Sequence, residues 1–188
     1  MMILLDPDLD PDAISHLVAG KRLIGAKTSD LRMPSTRSLA RFLTQARAAV
    51  RLRGQVSVLL TTDAMQRRLN RRFRSKNSST DVLSFPADSN APGAGEMAGD
   101  LSISVPMAQR QAAQQGHALG TELKVLILHG LLHLAGYDHE TDTGQMARRE
   151  RTLRARLRLP GGLIERVAMA KKRSAPNQLE PAAKRRRT

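Results

Sequence analysis

The apolar residues of the chain follow two periods in turn, and the switches between them outline the elements. Residues 2–5 are apolar throughout and read as a short first strand. Val56, Val58 and Leu60 recur at every second residue, as do Leu101, Ile103 and Val105 around Ser102 and Ser104, so each run gives a strand with one buried face. A further strand over 82–85 is stopped by Pro86. Between these runs the period lengthens. Leu39, Phe42, Leu43, Ala46 and Val50 fall at helical spacing with Arg37, Arg41 and Arg47 off that face, which predicts a helix capped by Ser35 or Thr36 and ended by Gly54. Asp63 is a good cap for a helix over 64–73, and Asp10 with Pro11 for one reaching about Val18. Residues 18–34 read as a loop or insertion, and 88–99, rich in Gly, Ala and Pro, as a second loop.

The C-terminal half turns helical. A helix over 106–115 is ended by Gly116, and one over 121–135 is apolar almost all round, which marks it as the buried central helix. An Arg-studded helix over 141–158 turns Met146, Leu153 and Leu157 inward, and residues 160–162 close the domain. Four strands with interleaved helices make the chain α/β (α+β), a single small domain over 1–162 with a tail over 163–188. The tail has no apolar period, and its composition predicts disorder.

Composition changes this picture in two ways. With no cysteine, disulfides and thiolate chemistry are excluded, and the acidic Asp6, Asp8 and Asp10 directly after the apolar start argue against a secretory signal. No apolar run reaches the roughly 18 residues that suggest a membrane span, so a cytoplasmic protein without a membrane partner is expected. The net charge of +14 calls for an anionic partner, most simply nucleic acid. Residues 166–188 carry eight Lys or Arg against one Glu, so half of the excess lies on the body. There, residues 67–76 hold six basic side chains and no acid. With three Phe, one Tyr and no Trp, base stacking is a minor source of affinity, and backbone-directed binding with steep salt dependence is expected.

Three of the five histidines, His129, His133 and His139, fall within eleven residues. The first two lie one turn apart on one helix face, and Gly136 lets the chain leave the helix so that His139 swings back over that face. Three imidazoles with one position open are the usual donor set of a catalytic zinc site, whereas a structural site is closed by a fourth protein ligand. The spacing also invites comparison with zinc peptidases, in which a Glu directly after the first His acts as general base. Here that position is Gly130, which disfavours a metallopeptidase-like hydrolase. The acids nearest in sequence are Asp138 and Glu140. With a basic surface, a phosphodiester is the better scissile bond, because its transition state gathers negative charge that a metal and an arginine stabilise.

The strings HGLLHLAGYDH (129–139), LNRRFRSKNSSTDVLSFP (69–86) and GDLSIS (99–104) together closely resemble the YbeY family of bacterial endoribonucleases, also called rRNA maturation factors. The resemblance spans about 55–157, with the opening strand and the helix after Ser35 in matching order. It implies an about four-stranded mixed sheet covered by helices, and a zinc-dependent, single-strand-specific endoribonuclease acting in 16S rRNA 3′-end maturation and ribosome quality control. It also implies one Zn²⁺ per chain on His129, His133 and His139. Arg74 matches the arginine expected to hold substrate phosphate, preceded by Phe73 where the family more often has Tyr. Arg71 and Lys76 of the same basic run are assigned to substrate binding. Single-stranded rRNA and the small ribosomal subunit or its proteins are the implied partners.

Asp81 and Asp100 match family positions, with a turn or capping role equally open to each, and Asp138 either orients a ligand imidazole or stabilises the turn. His16 and His117 lie outside the motif and read as structural or surface residues. The 18–34 segment is longer than the family's link, and the tail past Leu159 has no counterpart; its basic runs at 171–173 and 184–187 read as an electrostatic arm for RNA or the ribosome. The alternative to an enzyme is an rRNA-binding assembly factor with a structural zinc.

Overall fold

The computed structural model describes residues 1–9, 32–88, 95–139 and 141–160. The expected helix over 10–18, most of the 18–34 segment and the tail lie outside these residues. Among the described residues, four strands form one mixed sheet in the order β1 (Met2–Leu5), β2 (Gln55–Thr61), β4 (Met97–Ser104), β3 (Val82–Pro86). The first three run parallel, with Ile3 beside Val58 and Val58 beside Leu101, and β3 closes the edge antiparallel to β4, with Ser84 opposite Leu101.

Among the described residues, five helices accompany the sheet: α1 (Thr36–Val50), α2 (Asp63–Arg74), α3 (Val105–Gln115), α4 (Leu119–Leu134) and α5 (Gln145–Leu157). Strand alternation sorts them to two faces. Leu101 turns towards α4, while its neighbour Ser102 turns the other way and exchanges hydrogen bonds with the buried Gln66 of α2. The apolar core therefore lies between α4 and the sheet, with α1, α3 and α5 packed around α4. As its composition requires, α4 is buried on nearly every side, from Leu119 through Leu132. By contrast α2 buries only Gln66 and Asn70, so it is anchored by amide hydrogen bonds to Ser102 and Ser78, and its arginines stay in solvent.

Several boundaries move from their expected places, each for a local reason. Ser35 caps α1 as expected, but the helix ends at Val50 through Arg51 in a left-handed conformation (φ 66°), not at Gly54. Thr62 rather than Asp63 caps α2, because the Asp63 carboxylate is engaged by the Ser104 hydroxyl and, at 2.8 Å, by Arg110. Ser104 ends β4 and caps α3, so Val105 belongs to the helix although it keeps the strand alternation. The last helix begins at Gln145, four residues after the expected start, because the Asp142 carboxylate accepts hydrogen bonds from the backbone of Gly144, Gln145 and Met146 and holds the preceding turn.

Gly130, in the middle of α4, has a packing reason beyond the missing peptidase base. A Cβ there would lie 2.7 Å from Leu101 Cδ2 and 3.3 Å from Ser84 Oγ, so the helix seats on β3 and β4 with no room for a side chain. Gly130→Val is therefore expected to destabilise the chain by about 1–3 kcal/mol through overpacking, despite valine's better helix propensity. Urea unfolding checks this, and an undiminished midpoint would contradict so close a contact.

Candidate metal centre

The C-terminal end of α4 builds the site. His129 and His133 stack one turn apart, and the chain then reverses tightly: Gly136 adopts φ +86°, its N–H bonds to His133 O at 3.0 Å, and Tyr137 N–H bonds to Leu132 O at 3.0 Å. The reversal returns His139 to the same face. Ring centroids lie 4.8 Å apart for His129 and His133, and 5.3 Å from each of these to His139. One nitrogen from each ring falls within 4.8 Å of the others. His129 Nε2 and His133 Nε2 are 3.2 Å apart, close to the edge, about 3.3 Å, of a tetrahedron with metal–nitrogen bonds of about 2.0–2.1 Å. The three histidines can therefore hold one metal ion, and among the described residues no fourth His, Cys or carboxylate joins them.

Electrostatics favour the form of His133 that binds metal. Burial, then the neighbouring His129 and His139, lower its pKa from 6.5 to about 4, so its ring is neutral at physiological pH with a lone pair to donate. Asp138 pulls the other way more weakly, and Arg74 adds to the lowering.

The rings open on a cleft of about 370 Å³, also lined by Arg74, Val82, Ser84, Pro86, Tyr137 and Asp138. Arg74, the last residue of α2, reaches it around the edge strand and donates a long hydrogen bond of 3.4 Å to Ser84 O. Of the three basic residues expected at the substrate, only Arg74 lines this cleft. Arg71 sits with Arg67 and Arg68 on another surface of α2, and Lys76 is exposed beyond its end.

The aspartates divide as follows. Asp81 accepts from Val82 N–H at 2.8 Å and Gln111 at 2.9 Å, a capping and bridging role. Asp100 is exposed on β4 opposite Phe85. Asp138 accepts from the Thr141 hydroxyl at 3.1 Å and from Asp142 N–H at 2.9 Å, which stabilises the turn after the motif. His117 pairs with the buried Glu122 at 2.5 Å, as a structural residue. His16 and Glu140 lie outside the described residues.

One residue escaped the sequence reading. Glu150 of α5 is 1% exposed, and its Oε2 lies 3.6 Å from His129 Nδ1. Burial pushes its pKa up, but the His129 ring and the Arg154 guanidinium outweigh that and lower it to about 2. The signal was present: Met146, Glu150, Leu153 and Arg154 share one helical face, so the pair at i, i+4 had to be buried with the two apolar side chains.

Since folding lowers the proton affinity of His133, the unfolded chain holds the extra proton between 6.5 and about 4. Metal-free chain is expected to lose stability as pH falls through that window, and His133→Gln to lessen the slope. Urea titrations at a series of pH values check it, and equal slopes in the two proteins would contradict it.

Comparison with known proteins converges on one family. The family model described as endoribonuclease YbeY matches residues 24–158, which contain the whole cleft. The chain is 52% identical over 141 residues to the endoribonuclease YbeY of Koribacter versatilis, covering 75% of this chain and 90% of that one. It is 46% identical over 146 residues to its namesake in Solibacter usitatus, covering 76% and 95%. With Nautilia profundicola the identity is 43% over 111 residues, 59% of this chain and 78% of the relative. A family match over most of the chain, enclosing three convergent histidines and Arg74, makes this protein a member of the YbeY endoribonuclease family.

Proposed function

We propose that the chain is a zinc-dependent, single-strand-specific endoribonuclease that hydrolyses RNA phosphodiester bonds in 16S rRNA 3′-end maturation and ribosome quality control. The observation that carries this reading is three convergent histidines opening on a cleft that also receives Arg74. The donor set suits one Zn²⁺, which when bound supplies Lewis acidity and a water of lowered pKa. Arg74 binds the substrate phosphate, and its planar guanidinium offsets the negative charge that develops on the phosphoryl oxygens. His129, His133 and His139 fix the metal against the buried end of α4, whose rigidity holds the ligand positions.

The surface fits an RNA strand. Arg67, Arg68, Arg71, Arg72 and Lys76 are exposed around α2 and attract the backbone by charge, without reading sequence. Few aromatics are available to stack bases, and Phe73 already meets Phe85 edge-on with centroids 5.2 Å apart. Among the described residues no helix is long and apolar enough to cross a membrane, and we place the protein in the cytoplasm beside single-stranded rRNA and the small ribosomal subunit. A metal held only for stiffness would call for a fourth protein ligand, which favours the enzyme over a purely structural assembly factor.

His133→Ala is expected to abolish RNA cleavage while leaving the fold and RNA binding intact, measured by an rRNA cleavage assay beside circular dichroism and a filter-binding titration. An unfolded variant, paired with a wild type that never cleaves, would support the structural role instead. Arg74→Glu should reduce turnover about 10²–10³-fold, as for loss of one charge-stabilising donor, without releasing zinc. Unchanged turnover would remove Arg74 from the site.

A further inference from the structure

The edge of the His129 ring that carries Nδ1, opposite the one that meets His133, faces a charged pair that α5 buries. Glu150 and Arg154 are 1% and 2% exposed. Such a pair is a poor source of stability, because the desolvation of two charges offsets most of their attraction, so its presence calls for another reason. Its geometry supplies one. Glu150 Oε1 takes both bonds from Arg154, through Nε at 2.9 Å and through a terminal guanidinium nitrogen, while the other terminal nitrogen donates to Pro160 O at 2.9 Å. Oε2 is left facing His129 Nδ1 at 3.6 Å, and neither atom has another hydrogen-bond partner among the described residues.

We infer that Glu150 is a positioning residue for His129: its Oε2 accepts the Nδ1 proton, which fixes the tautomer whose Nε2 lone pair points at the metal site. Arg154 fixes the carboxylate rotamer and balances its charge, so the pair orients the ligand without adding net negative charge behind the cleft. Closing 3.6 Å to a hydrogen bond of about 2.7–2.9 Å needs a shift of less than about 1 Å. Glu150 does not line the cleft, so it acts through His129 and not on the substrate. Carboxylate partners of this kind make a ligating imidazole a stronger donor and hold its ring in place.

The inference rests on the metal reading of the three histidines, and the test separates the two. Zinc affinity of the full chain is measured by chelator competition for wild type, Glu150→Gln and the double variant Glu150→Leu/Arg154→Met, with circular dichroism and thermal melting of the metal-free proteins as fold controls. The double variant replaces the ion pair with apolar groups of similar size and leaves no unpaired charge, so it decides the matter if Glu150→Gln does not fold. Both folded variants are expected to bind zinc about 10–100-fold more weakly than wild type. A folded variant within about twofold of wild type overturns the positioning role while leaving the metal site standing. A wild type that takes up no zinc overturns both.

Discussion

The contact between α4 and the edge of the sheet governs the site, because it fixes the histidines relative to the arginine. With no side chain at Gly130, the helix comes close enough for the Ser84 hydroxyl to donate to Gly130 O at 3.3 Å. The carbonyl of the same serine accepts from Arg74 at 3.4 Å. Ser84 thus ties the helix that carries His129 and His133 to Arg74 through one residue of β3. His129 and His133 flank Gly130 on α4, so their position over the cleft follows from how closely the helix seats on Leu101.

Charge is arranged around that contact in layers. The apolar core keeps the His133 ring neutral, as a ligand must be. Behind the histidines, Glu150 and Arg154 cancel one another; in front, Arg74 presents a positive group to the cleft, and the basic surface of α2 extends the field outward. Asp138, within the motif, serves the turn that follows His139. Among the described residues, Arg74 is the one arginine that lines the cleft beside the three imidazoles.

Much of this was legible in the sequence, and the exceptions have physical causes. Period and alternation located most of the described elements, because these have an apolar face or, for α4, are apolar throughout, whereas α2, which buries only Gln66 and Asn70, was marked by the capping signal at Asp63. The histidine triad followed from i, i+4 spacing and Gly136, which are local features. Boundaries moved where a tertiary partner competed with a local signal, as when Ser104 and Arg110 engaged Asp63 and left Thr62 to cap α2. Arg71 and Lys76 share a run with Arg74, yet only the residue at the end of the helix can reach around β3. Glu150 was hidden because its partner His129 lies 21 residues away in another helix, and contact across such a distance leaves no periodic trace. Gly130 could be read as a missing base, but its packing role required the sheet beneath it.

RNA cleavage is expected to depend on a metal centre made by the three histidines. The direct measurement is zinc content of the protein as purified, together with rRNA cleavage before and after chelation and after zinc is restored. About one zinc per chain, with cleavage lost on chelation and recovered on zinc addition, is the predicted result. Cleavage that persists undiminished in metal-depleted protein would contradict it.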